Sequence, residues 1–294
     1  MIKLPPLALL LITIGTLYAT IYTATAWALP RAHAVPGGIA LINLSATDSP
    51  KPMVQLGKQK ILVRPHEGVW QAVIGLSLTT PVGNNTIKVS TPKQLKTVSF
   101  KVEDKRYQET HITIKDKRKV NPYKDDLERI YSEQRRSRNA FNRWSKPQPD
   151  VNFILPVTGR LSGNFGRRRF FNKQPRNPHS GMDIAAPMGT MVNSPAAGTI
   201  VETGDFFFNG NTIFIDHGQG VVTMYCHLES INVKPGDSVE QGEAIATVGM
   251  TGRVTGPHLH WSVSLNGVRI DPALFMSVEA LEQLDAPNKK VTKK

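Results

Sequence analysis

Hydrophobic and polar residues alternate in short runs over most of this chain. Between residues 36 and 114 the runs Lys60-Ile61-Leu62-Val63, Trp70-Gln71-Ala72-Val73-Ile74-Gly75-Leu76 and Thr86-Ile87-Lys88-Val89 have the two-residue period of half-buried strands. Turn signals such as Pro65-His66-Glu67-Gly68 and Pro81-Val82-Gly83-Asn84-Asn85 separate them. Strands this short and close predict a small β-sandwich or barrel over 35–114. A different period follows. Residues 115–150 form a connector, basic at Lys115-Asp116-Lys117-Arg118-Lys119 and helical from Asp125 to Trp144, and closed by Lys146-Pro147-Gln148-Pro149. In that helix Leu127, Ile130, Tyr131, Phe141 and Trp144 form the apolar face, with acids at the start and arginines towards the end, the order the helix dipole favours. The β pattern returns over 151–275, cut by glycine turns, and a short helical pattern with a basic end occupies 276–294. The expected protein is mostly β, with two β units joined by a helical connector.

The N-terminus stands apart. Lys3 is followed by an apolar run from Leu7 to Trp27 and by small-residue cleavage patterns such as Ala24-Thr25-Ala26 and Ala32-His33-Ala34. Residues 1–34 therefore read as an export signal or, if uncleaved, an anchor. Either places the rest of the chain in the periplasm or cell envelope, or outside the cell. Composition adds one point. The net charge of +13 is unevenly spread: residues 1–150 hold 23 basic and 11 acidic side chains, whereas 151–275 hold 9 of each. The basic half suits acidic wall or envelope polymers, export excludes nucleic acid, and membrane contact is expected only from an uncleaved N-terminal segment. The single cysteine, Cys226, rules out an internal disulfide.

The chemistry concentrates in the neutral half, where five of the eight histidines lie between 179 and 260. In His258-Leu259-His260, leading into the alternating Trp261-Ser262-Val263-Ser264-Leu265, a strand that already includes His258 puts positions i and i+2 on one face, so that both imidazoles point one way. In His179-Ser180-Gly181-Met182-Asp183, Pro178, Gly181 and Pro187 argue against a helix and for a loop entering a strand with both side chains turned inward. In Tyr225-Cys226-His227-Leu228, strand alternation puts Tyr225 and His227 on one face and Cys226 on the other, in the core as a small hydrophobe. A catalytic zinc takes three protein ligands and leaves one position open, and two spare basic groups can move a proton or stabilise an oxyanion. The alternative is three unrelated histidine-bearing strands. His66 and His111 are isolated, and His217, before a glycine turn, is expected to be structural.

Residues about 159–272 resemble the lysostaphin/LytM-type zinc metallopeptidases. The likeness is carried by Gly163-Asn164-Phe165-Gly166-Arg167-Arg168, by His179 to Thr190, by Ile215-Asp216-His217-Gly218, by Tyr225-Cys226-His227-Leu228, by Val233-Lys234-Pro235-Gly236-Asp237-Ser238-Val239, and by Gly249-Met250-Thr251-Gly252 leading to Thr255-Gly256-Pro257-His258-Leu259-His260. It implies an antiparallel β-barrel-like domain binding one zinc ion through His179, Asp183 and His260, with His227 and His258 catalytic. The implied substrate is the peptide part of peptidoglycan. The alternative within this fold is a non-enzymatic, wall-binding activator of amidases. Residues 29–130 also resemble the β-domain that precedes this peptidase in secreted bacterial members. Two departures, Trp261-Ser262 in place of an aromatic and an acidic residue and Thr251 where serine is common, are expected to touch no ligand or catalytic position.

Overall fold

The computed structural model describes residues 29–289, so residues 1–28 of the expected export signal or anchor (1–34) and the last five residues lie outside it, whereas Arg31 and His33 are bonded into the fold, to Leu274 and Ile39. No helix among the described residues is long and apolar enough to cross a membrane. Six strands build the first β unit: β1 (Ile39–Ala46), β2 (Met53–Leu56), β3 (Gln59–His66), β4 (Val69–Gly75), β5 (Gly83–Ser90) and β6 (Leu95–Val102), in the order β1-β4-β3-β2-β5-β6. Alternation sorts their side chains as the pattern predicts. Ala40, Val54, Ile61, Val63, Ile74, Ile87 and Phe100 fill one core. Ile39, Leu62 and Val73, of opposite parity, join the main core of the second unit instead. The two units thus share apolar packing. Asn266 fastens the seam: its side-chain oxygen accepts the Gly75 N–H at 2.7 Å and its amide nitrogen donates to the Gly75 carbonyl at 3.2 Å.

The last strand of the first segment, β7 (Glu109–Ile112), does not join that sheet. After α1 (Asp126–Phe141) and β8 (Arg160–Gly163), the chain forms β9 (Arg168–Phe171) and β10 (Gln174–Arg176), and β7 pairs in parallel with β9 in a three-stranded sheet. His111 lies there, stacked on Phe170 at 4.6 Å.

The remaining strands are β11 (Met182–Ala185), β12 (Met191–Asn193), β13 (Gly198–Phe206), β14 (Gly210–Gly218), β15 (Val221–Ile231), β16 (Ser238–Val239), β17 (Ala244–Val248), β18 (Leu259–Leu265) and β19 (Val268–Ile270). Their sheet runs β16-β13-β14-β15-β18-β11-β8, with the β12–β17 pair and β19 attached, and curls into the expected barrel-like form. Trp261, Tyr225, Ile213 and Ile184 are among its fully buried side chains. Helix α2 (Val278–Lys289) closes it with Leu281 and Leu284.

Helix α1 is three residues shorter than predicted at its C-terminal end, and of the expected apolar face it buries Ile130 and Phe141 but leaves Tyr131 and Trp144 exposed. Tyr131 is 55% exposed, whereas Glu133 is buried beside Ile130, Ala140 and Phe141. The reason is polar. Glu133 accepts the Phe207 N–H at 2.8 Å and pairs with Arg129 at 2.6 Å, so its charge is satisfied against the sheet. Phe141 meets Phe214 edge-on, and α1 thereby sits on β13 and β15.

His217 is structural in its surroundings. Its Nδ1–H donates to the Ala197 carbonyl at 2.8 Å, and its Nε2 lies 2.8 Å from the Thr223 hydroxyl, which meets the Tyr225 hydroxyl at 2.9 Å. Burial pushes its pKa down to about 4. Between pH 6.5 and 4 the unfolded chain therefore binds a proton that the folded chain refuses, and stability drops as pH falls through that window. The contribution is about 3 kcal/mol. Melts at pH 7 and 4 should show the wild-type chain losing that much more stability than His217→Gln; equal losses would contradict it.

Candidate metal and catalytic site

The site is assembled on three adjacent strands. Asp183 on β11 stands directly opposite His260 on β18 and Gly163 on β8, so the Asp183 and His260 side chains share one face. His179 comes from the loop before β11, as expected, and is pinned on both sides: its N–H donates to the Arg167 carbonyl and its carbonyl accepts the Gly166 N–H, each at 2.8 Å. His179 Nε2, His260 Nδ1 and Asp183 Oδ1 lie 2.8 to 3.0 Å from one another. Two glycines make this approach possible. A Cβ on Gly163 would stand 2.4 Å from Asp183 Oδ2, and one on Gly181 would stand 2.8 Å from His260 Nε2.

His227 and His258 face the same cluster. Strand β18 starts at Leu259, so His258 precedes the strand on which the sequence placed it, yet its Nε2 reaches to 3.8 Å from Asp183 Oδ1. The expectation for β15 is corrected. Tyr225 and His227 do not share a face: Tyr225 is buried in the main core opposite Trp261, whereas Cys226 lies opposite His260 and packs with Phe214 and Met224. A β-bulge between Tyr225 and Leu228, with His227 at φ +64°, breaks the alternation and swings His227 onto the His260 side. The His227 and His258 rings are 4.9 Å apart, and those of His227 and His260 6.1 Å. Cys226 is fully buried, and burial pushes its thiol pKa up, which fits the expected inert packing role.

The outer hydrogen bonds settle the tautomers. A carbonyl can only accept, so the Nδ1 atoms of His179, His227 and His258, which lie 2.8 to 2.9 Å from the carbonyls of Asn164, Thr251 and Gly256, each carry the proton. Their Nε2 atoms are turned to the site. His260 is anchored in reverse, with Nε2 3.0 Å from the Ser262 hydroxyl and Nδ1 turned to Asp183. Both sequence departures therefore touch the site: Ser262 orients His260, and the main chain of Thr251 orients His227. Ser262 was readable in principle, because it is two residues beyond His260 on the same strand face. The Thr251 carbonyl carries no side-chain signal.

Electrostatics agree. Burial opposes the Asp183 charge, but hydrogen bonds and charge from His179 and His260 outweigh it and hold the carboxyl well below its usual range. Burial pushes His260 down to about 4, and burial with its histidine neighbours pushes His227 down to about 3. These imidazoles are neutral at pH 7. Two imidazole nitrogens and a carboxylate oxygen converge within 3.0 Å of one another, the spacing of donors around a shared cation. His₂Asp is a catalytic-type zinc donor set with room for a fourth ligand, so these residues fit such an ion. A cleft of about 640 Å³ leads from His227 and His260 along α1, and a recess of about 140 Å³ holds the cluster itself.

Comparison with known proteins fits this geometry. Residues 177–272 match the model of peptidase family M23, and residues 32–105 match that of the M23 N-terminal domain. The solved structure described as a putative peptidase M23 from Pseudomonas aeruginosa is 38% identical, covers 84% of this chain and 96% of its own, and has a TM-score of 0.70. The chain belongs to peptidase family M23. Curated relatives match over a shorter stretch. The peptidoglycan DD-endopeptidase ShyC of Vibrio cholerae is 40% identical over 114 residues, which are 38% of this chain and 26% of that protein. The DD-carboxypeptidase/endopeptidase Mpg of Neisseria meningitidis serogroup B is 42% identical over 130 residues, which are 44% of this chain and 30% of that protein. The chain thus spans under a third of these two relatives. The metal-ligand cluster and both remaining histidines fall inside the M23 match.

Proposed function

We propose that this protein is an exported, zinc-dependent endopeptidase that hydrolyses peptide bonds in the stem peptides or cross-bridges of bacterial peptidoglycan. The observation that carries the reading is the close cluster of His179, Asp183 and His260, flanked by the rings of His227 and His258, at the end of an open cleft. The names of the M23 relatives support the substrate class. A zinc ion held by the three donors would supply Lewis acidity to a water molecule and to an amide carbonyl. The protein contributes the rest. His227, which burial keeps neutral, and His258, whose Nδ1–H is held by the Gly256 carbonyl, each turn Nε2 to the site and can take the proton of the attacking water, and once protonated either can hold the developing oxyanion. The carbonyls of Thr251 and Gly256 fix the two rings, so little reorganisation is needed. The positive excess in residues 1–150 suits contact with acidic envelope polymers.

The test is digestion of purified sacculi by the full mature chain with and without a zinc chelator, read by mass spectrometry of released muropeptides. New peptide ends that vanish with chelator are the expected result. A zinc-loaded protein that binds sacculi and cuts nothing would overturn the enzyme reading and favour an amidase activator.

A further inference from the structure

Arg167, Arg169 and Arg253 line the same recess as the five site residues. They come from separate walls: Arg169 lies on β9, Arg167 just before it, and Arg253 on the loop between β17 and β18. Among the described residues none of the three forms a salt bridge. Asp183 is the only acidic side chain lining the recess, and its contacts with His179 and His260 engage it already. The recess thus holds three positive charges against one negative before any metal ion is counted. Sequestered charges in folded proteins are normally paired.

These guanidiniums are also held in place. Arg253 sits over two rings, 4.4 Å from the Phe208 centroid and 4.8 Å from that of Phe171, and donates Nη1–H to the Lys119 carbonyl at 3.0 Å. Arg169 lies 5.5 Å from the Phe171 centroid and donates to the carbonyls of Asn177 and Pro178 at 3.1 and 3.3 Å. Arg167 Nε is buried with no hydrogen-bond partner at all. Carbonyls and rings fix the planes without neutralising the charge. Burial, and then repulsion from Arg169 and Arg176, push Arg253 down to about 10, which still leaves it charged at neutral pH. Planar, oriented guanidiniums match a carboxylate, which accepts two parallel N–H bonds.

We propose that Arg167, Arg169 and Arg253 form a carboxylate-binding subsite beside the metal-ligand cluster, so that the bond cut is selected by a free carboxylate on the peptide next to it. This rests on reading the cleft as a peptidase site.

The probes are two synthetic cross-linked stem-peptide dimers, identical except that one carries free carboxylates flanking the cross-link and the other carboxamides. Each is made with a hydrolysable cross-link and with an N-methylated one that resists cleavage. Binding of the N-methylated pair to the zinc-loaded full chain is measured by calorimetry, and kcat/KM of the hydrolysable pair by product release. The wild-type protein should favour the carboxylate dimer roughly 10- to 100-fold in both. Arg253→Gln should remove most of that preference, bringing the carboxylate-to-carboxamide ratio close to one in both measurements, and Arg253→Lys should restore part of it. Arg167→Gln, which breaks no existing hydrogen bond, should lower the preference without touching the fold. Equal binding of the twins, including none of either, overturns the subsite, as does a preference that survives in Arg253→Gln. A binding preference without turnover would keep the subsite and remove the peptidase reading; turnover without preference would do the reverse.

Discussion

Asp183→Ala protein should emerge folded, hold no stoichiometric zinc after dialysis, and digest sacculi at least about a thousandfold more slowly, equivalent to some 4 kcal/mol of lost barrier reduction. Asp183 is the only anionic donor of the cluster, and both imidazoles point at its Oδ1. Without it the two histidines offer a cation no neutralising charge, and His179 Nε2 and His260 Nδ1, 3.0 Å apart, are free to bond to each other instead of to a metal. A second variant reaches the same end without altering a donor. In Gly181→Ala the new methyl would press within 2.5 Å of both Ser262 Oγ and the Trp261 carbonyl and within 2.8 Å of His260 Nε2. The ring has to turn away from Asp183, and zinc affinity should fall with it. Zinc content by mass spectrometry, with circular dichroism for the fold, reads both variants. Stoichiometric zinc in Asp183→Ala would sink the assignment of the ligand set.

His227→Asn should separate binding from chemistry. Asparagine is the substitution to choose because position 227 sits at φ +64°, a left-handed conformation that asparagine tolerates better than alanine does. The bulge, the neighbouring Cys226 packing and the three metal donors are then undisturbed. Zinc content should match the wild type while kcat drops about 10²- to 10⁴-fold, the usual contribution of a positioned proton-transfer group. Turnover at the wild-type rate would show that His227 takes no part, leaving His258 to act alone.

Much of this site was legible because strand alternation and loop-breaking residues report geometry directly. Pro178 and Gly181 mark the loop that brings His179 to Asp183, and the two-residue period aligns His260 with Ser262. The same rule failed at His227, because a bulge inserts one extra residue and reverses every face beyond it, and no residue type announces that. The face of α1 was misread because Glu133 scores as polar, while its charge is consumed by the Phe207 N–H and Arg129. The strand β7 left its own sheet for β9 through a pairing that only the folded chain brings together. The arginine cluster stayed hidden for a simpler reason. Equal counts of acids and bases over residues 151–275 read as neutral, whereas the fold gathers three of the bases at the recess and leaves most of the acids elsewhere.

The Asn266–Gly75 seam and the shared burial of Ile39, Leu62 and Val73 have a further effect on how this chain can change. The sheet that carries the metal donors and the N-terminal β unit rest on each other's apolar side chains, so neither offers a finished surface by itself. Shuffling the M23 domain onto another partner would uncover the back of β18 and β19 to water. In this chain a substitution that loosens the seam therefore acts directly on the strand that carries His260, because β18 ends at Leu265, next to Asn266.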